Sequence, residues 1–251
     1  MIALTGLSAA VLLTSQLSAG AIVAHAKQVD LAIEDLSANV NMTITSPDGQ
    51  EKQRDFRLLM RRESVNYRAL ITLLAPPEME GTRFLVVASR GERNQQWAYF
   101  PDLDLVRPIA SREQDAPFLG SDITYADLAG GAHLDDLIHR LVGEEVMDGV
   151  PCYVLEGVPR HEIVYGKLRG WVRKDNFVTI RAVFFGHEGE RMKEAHLTDV
   201  RTVDEVPFAH RIEMLNLVSG SRTVLTITEP ILNQGLPPEL FTEDSLARSG
   251  N

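Results

Sequence analysis

The sequence predicts a mainly β, α+β fold: one antiparallel sheet of many strands, curled on itself, with short helices over its open mouth. Apolar and polar residues alternate with period two in run after run. These runs recur at intervals of about ten to fifteen residues with turn residues between them, the pattern of a meander of hairpins. Helical spacing is clear in only two places.

The first is near the N-terminus, where Val29, Ala32, Ile33 and Leu36 fall on one face of a short helix. Strands follow. Val40, Met42 and Ile44 alternate with polar residues up to Ser46-Pro47-Asp48-Gly49, a hairpin turn, and Phe56, Leu58 and Met60 answer on the return. Val65, Tyr67, Ala69, Ile71 and Leu73 make a third run, closed by Ala75-Pro76-Pro77. FLVVA (84–88), QQWAYF (95–100) and LDLVRPI (103–109) come next. The second half reads as CYVLEGV, LRGWVRK, FVTIRAVFF, EAHLTDVRTV, HRIEMLNLV and RTVLTIT. Strands near ten residues long would span about 33 Å, and a sheet of such strands twists and curls. Two short helices cannot cover both its faces, so the apolar faces are best satisfied by a curled sheet with the helices at its mouth and an apolar space inside.

Between the halves lies FLGSDITYADLAGG (118–131), which fits neither period. Thr124 with Asp127 reads as a short-chained capping box, with Asp122 as the alternative cap, and Gly130-Gly131 as the stop. The second helical spacing, Leu134, Leu137, Ile138 and Leu141, follows. Phe118, Leu119, Ile123, Tyr125 and Leu128 give this insertion an apolar underside, so it is expected to lie across the sheet as a plug or lid.

The N-terminal 26 residues hold no Lys, Arg, Asp or Glu and end in Ala24-His25-Ala26, a small-x-small site. Residues 1–26 are expected to be a secretory signal peptide and 27–251 a single domain. The net charge of −10 disfavours nucleic-acid phosphates and, by charge alone, an anionic membrane. The lone cysteine, Cys152, allows no internal disulfide. Gly120-Ser121-Asp122 sets a hydroxyl beside a carboxylate, but the G-x-S-x-G elbow is absent. The seven histidines show no zinc-ligand spacing, and Gly130-Gly131 opens no phosphate loop. No metal or cofactor is expected.

Several segments together resemble the LolA-like family of outer-membrane lipoprotein-sorting proteins, in the branch associated with lipid-exporting transporters. They are GTRFLVV (81–87), WAYFPDLDLVRPI (97–109), FLGSDITYADL (118–128), DGVPCYVLEGVP (148–159), YGKLRGWVRKDN (165–176), LTDV (197–200) and SRTVLTITEPILNQGLPPELF (221–241). Ile123 and Thr124 stand where the family usually has an aromatic and a small polar residue. Pro108 replaces a basic residue common there, leaving Arg107 as the nearest basic candidate for a polar rim. The resemblance implies a half-open barrel closed by helices around an apolar cavity.

The expected function is then a non-enzymatic, monomeric periplasmic carrier. It would bind a lipid or the acyl chain of a lipoprotein for transfer toward the outer membrane, with an inner-membrane lipid transporter as possible partner. Trp97, Tyr99, Phe118, Leu119, Tyr125, Leu128, Phe184 and Met214 are the expected cavity or lid residues. The alternatives are an envelope sensor or adaptor that reads lipids or lipoproteins for a membrane partner, and a hydrolase using Ser121.

Overall fold

In the computed structural model, residues 17–64, 66–89, 94–129, 136–161 and 163–248 are described. The expected leader lies partly, and Val65, Gly130-Gly131 and Leu134 wholly, outside them. Thirteen strands form one antiparallel sheet: β1 (Asp35–Thr45), β2 (Glu51–Glu63), β3 (Asn66–Ala75), β4 (Arg83–Ala88), β5 (Gln95–Phe100), β6 (Leu105–Pro108), β7 (Leu137–Met147), β8 (Val150–Pro159), β9 (Lys167–Arg173), β10 (Thr179–Phe185), β11 (Arg191–Val203), β12 (Val206–Asn216) and β13 (Arg222–Leu232). Their spatial order is β6-β5-β4-β3-β2-β1-β13-β12-β11-β10-β9-β8-β7. The sheet is curled but not closed, with β6 and β7 at its two edges. Among the described residues three short α-helices accompany it: α1 (Ala19–Leu31), α2 (Tyr125–Leu128) and α3 (Glu243–Leu246). None is long and apolar enough to cross a membrane.

This order dictates what covers the mouth. The chain runs outward from β1 to the β6 edge, then resumes at β7 on the opposite edge, and returns strand by strand to β13 beside β1. The connection from Ile109 to Asp136 must therefore pass from one edge of the curled sheet to the other. It carries α2 and the 118–128 motif across the concave side.

The two sheet faces follow the alternation. In β1, Ala38, Val40, Met42 and Ile44 are buried on the concave face, joined by Phe56 of β2, Ile71 and Leu73 of β3, Phe84 of β4 and Phe118 of the crossing segment. At Ser46–Gln50 the expected turn forms: the Gly49 N–H donates to the Ser46 carbonyl (2.9 Å), and Gly49 sits at φ +86°, where a side chain would be strained. The convex face of β2–β5 holds Leu59, Leu70, Leu85, Val87, Trp97 and Tyr99, under the C-terminal residues Leu236, Leu240, Phe241 and Leu246. Asp35 anchors that C-terminal segment. Its carboxylate, 3% exposed, accepts from the backbone N–H groups of Gln234 (3.0 Å), Gly235 (2.8 Å) and Leu236 (3.1 Å).

Two expectations about helices need correction. The N-terminal helix lies earlier than Val29–Leu36: Ser18 caps it by accepting from the Ala21 N–H (3.2 Å), and it ends at Leu31. Leu36 belongs to β1. The buried face of α1 is Ile22, Val23 and Ala26, packed on Leu155 and Val172. The cleavage position expected after Ala26 thus falls inside a packed helix. The second expected helix is a strand: Leu137, Ile138 and Leu141 are in β7, paired with β8. A bulge between Leu141 and Gly143 breaks the period of two and hid the strand. Leu137 packs against Gly157, where an added Cβ would lie 2.8 Å from the leucine Cδ1.

Candidate functional site

An open apolar cavity of about 490 Å³ lies on the concave side. One wall comes from Leu58 and Met60 of β2, Ala69 and Ile71 of β3 and Val86 of β4; the facing wall comes from Leu168 of β9, Phe184 of β10, Met214 of β12 and Leu225 of β13. Strands β4 and β9 are eight places apart in the sheet. Only a strongly curled sheet brings them to one cavity. Ile123, Asp127 and Leu128 of the crossing segment also line it. Its volume is in the range of about 300–1,000 Å³ typical of small-molecule pockets.

The crossing segment packs into the concave core beside the cavity. Phe118, Phe84 and Tyr125 form an aromatic cluster, with centroids 5.0 Å apart for Phe84–Phe118 and 5.5 Å for Phe118–Tyr125. Leu119, in the left-handed region at φ +53°, packs on the same core. These three expected residues are the body of the plug, while Leu128 faces the cavity.

The capping box read from the sequence is present. The Asp127 N–H donates to Thr124 Oγ1 (3.0 Å), and the Thr124 N–H donates to Asp127 Oδ2 (2.9 Å). The structure adds what the sequence did not indicate. Asp127 also accepts from Lys193 Nζ at Oδ2 (3.0 Å) and from the Tyr165 hydroxyl at Oδ1 (3.0 Å). Both charged side chains are nearly buried, 11% and 10% exposed. Burial and the Asp127 carboxylate push the Tyr165 hydroxyl well above its ordinary pKa, so it stays a donor.

On the other wall the Tyr67 hydroxyl donates to the Leu128 carbonyl, and Gln96 Nε2 donates to the Tyr125 carbonyl (2.8 Å). Asp122 caps no helix. It is clamped to β13, accepting from Thr223 Oγ1 (2.7 Å) and from the Ser221 hydroxyl. So the lid is pinned to both halves of the sheet. Ser121, 4% exposed, donates to the Ile123 carbonyl and accepts from the Ile123 N–H (both 3.2 Å), which closes a local turn.

Of the expected site residues, Leu128, Phe184 and Met214 come together at the cavity. Trp97 and Tyr99 do not. They point to the convex face, because the inward positions of β5 are Gln96 and Ala98, and they pack under the C-terminal segment. Arg107 is exposed on the edge strand β6 and pairs with Glu113, away from the cavity. Sequence reading missed Met60, Ile71, Leu168 and Leu225. Each lies on an alternating strand, but alternation does not say which face is concave. A second cleft of about 460 Å³, lined by polar residues including Gln114 and Asp115, lies beyond Asp127.

A family model described as an uncharacterized protein matches residues 66–248. No curated protein matches the sequence. Among solved structures, a DUF1329 family protein from Desulfovibrio piger is 25% identical over 92% of this chain and 100% of its own, with a TM-score of 0.85. A domain named for outer membrane lipoprotein sorting, from Vibrio parahaemolyticus, is 24% identical over 90% of this chain and 98% of its own, with a TM-score of 0.83. A LolA superfamily protein from Nitrosomonas europaea is 23% identical over 91% of this chain and 99% of its own, with a TM-score of 0.72. This chain belongs to that uncharacterized family, and its curled sheet has the fold of the LolA superfamily structure.

Proposed function

We propose that the protein is a periplasmic carrier that holds a lipid, or the acyl chain of a lipoprotein, on its way toward the outer membrane. The observation that carries this reading is the open cavity walled by apolar side chains from both halves of the sheet and roofed by Leu128. An acyl chain gains about 0.8 kcal/mol per methylene buried, so an apolar cavity binds such a chain without a specific polar contact. In this reading Leu128, Phe184 and Met214 touch the chain, and Phe118, Leu119 and Tyr125 hold the lid in place. Trp97, Tyr99 and Arg107 have no contact with the ligand. Residues 1–26 supply the export signal, and an inner-membrane lipid transporter is the donor. The lipoprotein-sorting name of the Vibrio domain supports the ligand class.

The test is direct. Protein purified from periplasm is extracted and its lipids identified by mass spectrometry, and a fluorescent fatty-acid probe is titrated into the delipidated protein. Co-purifying lipid and saturable probe binding are expected. A lipid-free protein that ignores the probe would sink the reading.

A further inference from the structure

The charge of −10 is unevenly laid out. On the convex face of β7–β11, Glu156 and Glu194 lie in one row through Arg169 and Val183, each step one strand. At about 4.8 Å per strand the two carboxylates are on the order of 14 Å apart. Both are sunk in the face, with side chains 9% and 8% exposed. Each lies beneath several cations. Glu156 binds Arg140 (2.9 Å), Lys167 (3.2 Å) and Arg169 (2.6 Å). Glu194 binds Arg181 (2.6 Å) and Arg191, with His196 Nε2 at 2.9 Å.

Five permanent cations therefore share two carboxylates, and the negative charges are underneath. Solvent meets the positive ones: the side chains of Arg140, Arg191 and Arg169 are 76%, 51% and 38% exposed. Around them, Arg173 pairs with Asp175, Lys174 with Glu144 and Arg222 with Glu213, and the exposed Glu145 carboxylate on this face accepts from Trp171 Nε1 (2.8 Å). Beside the Glu156 cluster, the cross-strand neighbours Ile138 and Val158 are 56% and 47% exposed. Phe185 lies under Lys167, with Nζ 4.5 Å from the ring centroid.

We propose that this face docks on an anionic bilayer surface. Long cations spread over several strands, with a small aliphatic pair among them, match a continuous plane of negative charge that an aliphatic tip can enter. The cavity lies on the opposite face of the sheet, so the docked protein keeps its mouth toward the water. The inference does not depend on the carrier reading, because docking needs no ligand.

The test is co-sedimentation of the full chain with phosphatidylcholine vesicles, with and without one third phosphatidylglycerol, and no acyl probe present. Binding to the anionic vesicles alone is expected, fading at high salt as screening shortens to a few ångströms. The triple variant R140Q/R169Q/R191Q leaves Lys167 on Glu156 and Arg181 on Glu194; it should lower partitioning on the order of a hundredfold. The lysine triple R140K/R169K/R191K should restore it. Equal binding to neutral vesicles would assign the contact to the aliphatic pair and overturn the proposal. So would an unweakened glutamine triple, or no binding to either vesicle, which would leave the face to an acidic protein. If the glutamine triple does not fold, the salt dependence and the lysine triple decide.

Discussion

Replacing Asp127 by Ala would test the pinning of the lid. The substitution removes the acceptor for Lys193, Tyr165 and the Thr124 N–H at once. Lys193, with a side chain 10% exposed, is then a cation without its carboxylate beside an apolar cavity. Breaking a buried pair in this way costs about 3–5 kcal/mol. The substitution also removes the reciprocal half of the α2 capping box, the bond from the Thr124 N–H, while Thr124 still caps the helix. The cost of breaking the pair is a large share of the roughly 5–15 kcal/mol that holds a domain together. Urea unfolding followed by circular dichroism measures it. The double variant D127A/K193M should recover at least ~2 kcal/mol over D127A, since an apolar pair at such a site is often as stable as the ion pair. A cost below ~1 kcal/mol for D127A, with the losses in the double variant simply adding, would refute the claim that this pair pins the lid.

Other consequences follow from the same geometry. Leu128→Glu should weaken acyl-probe binding at least tenfold with little change in melting temperature. Tyr125→Ala should do the reverse, because Leu128 faces the cavity and Tyr125 packs on Phe118; similar effects from both would contradict that division. The Arg169 and Arg140 guanidiniums, working against burial, hold the Glu156 carboxyl down to about 2 from its ordinary 4.5. A depressed carboxylate stabilises the fold above its unfolded-state pKa and loses that contribution as pH falls through its folded-state pKa. The melting-temperature advantage of wild type over Glu156→Gln should therefore be full near neutrality and shrink between about pH 4.5 and pH 2; an advantage constant with pH would count against it. A chain starting at Lys27 lacks Ile22, Val23 and Ala26, and should melt well below one starting at Ser18. Equal melting would show that this packing contributes nothing.

The strands were legible because period-two alternation survives wherever one face is buried and the other is wet, as in β1 with Val40, Met42 and Ile44 inside. β7 was not, because Leu137, Ile138 and Leu141 fall at helical spacing and the bulge after Leu141 shifts the alternation. The lid was legible through its capping box and its apolar residues. Its attachments were not: Asp127 reaches Tyr165 and Lys193 across 38 and 66 residues of chain. Trp97 and Tyr99 show the limit of alternation most clearly. It places both on one face, and only the direction of curl makes that face convex.

The central claim is that an acyl chain lies between the two halves of the sheet beneath Leu128. A diazirine-bearing fatty acid, irradiated on the purified protein and mapped by peptide mass spectrometry, tests it most directly. The account predicts adducts on Met60, Leu128, Phe184 and Met214. Adducts confined to the convex face, around Trp97 and Leu240, would contradict it, as would labelling that excess unlabelled fatty acid does not suppress.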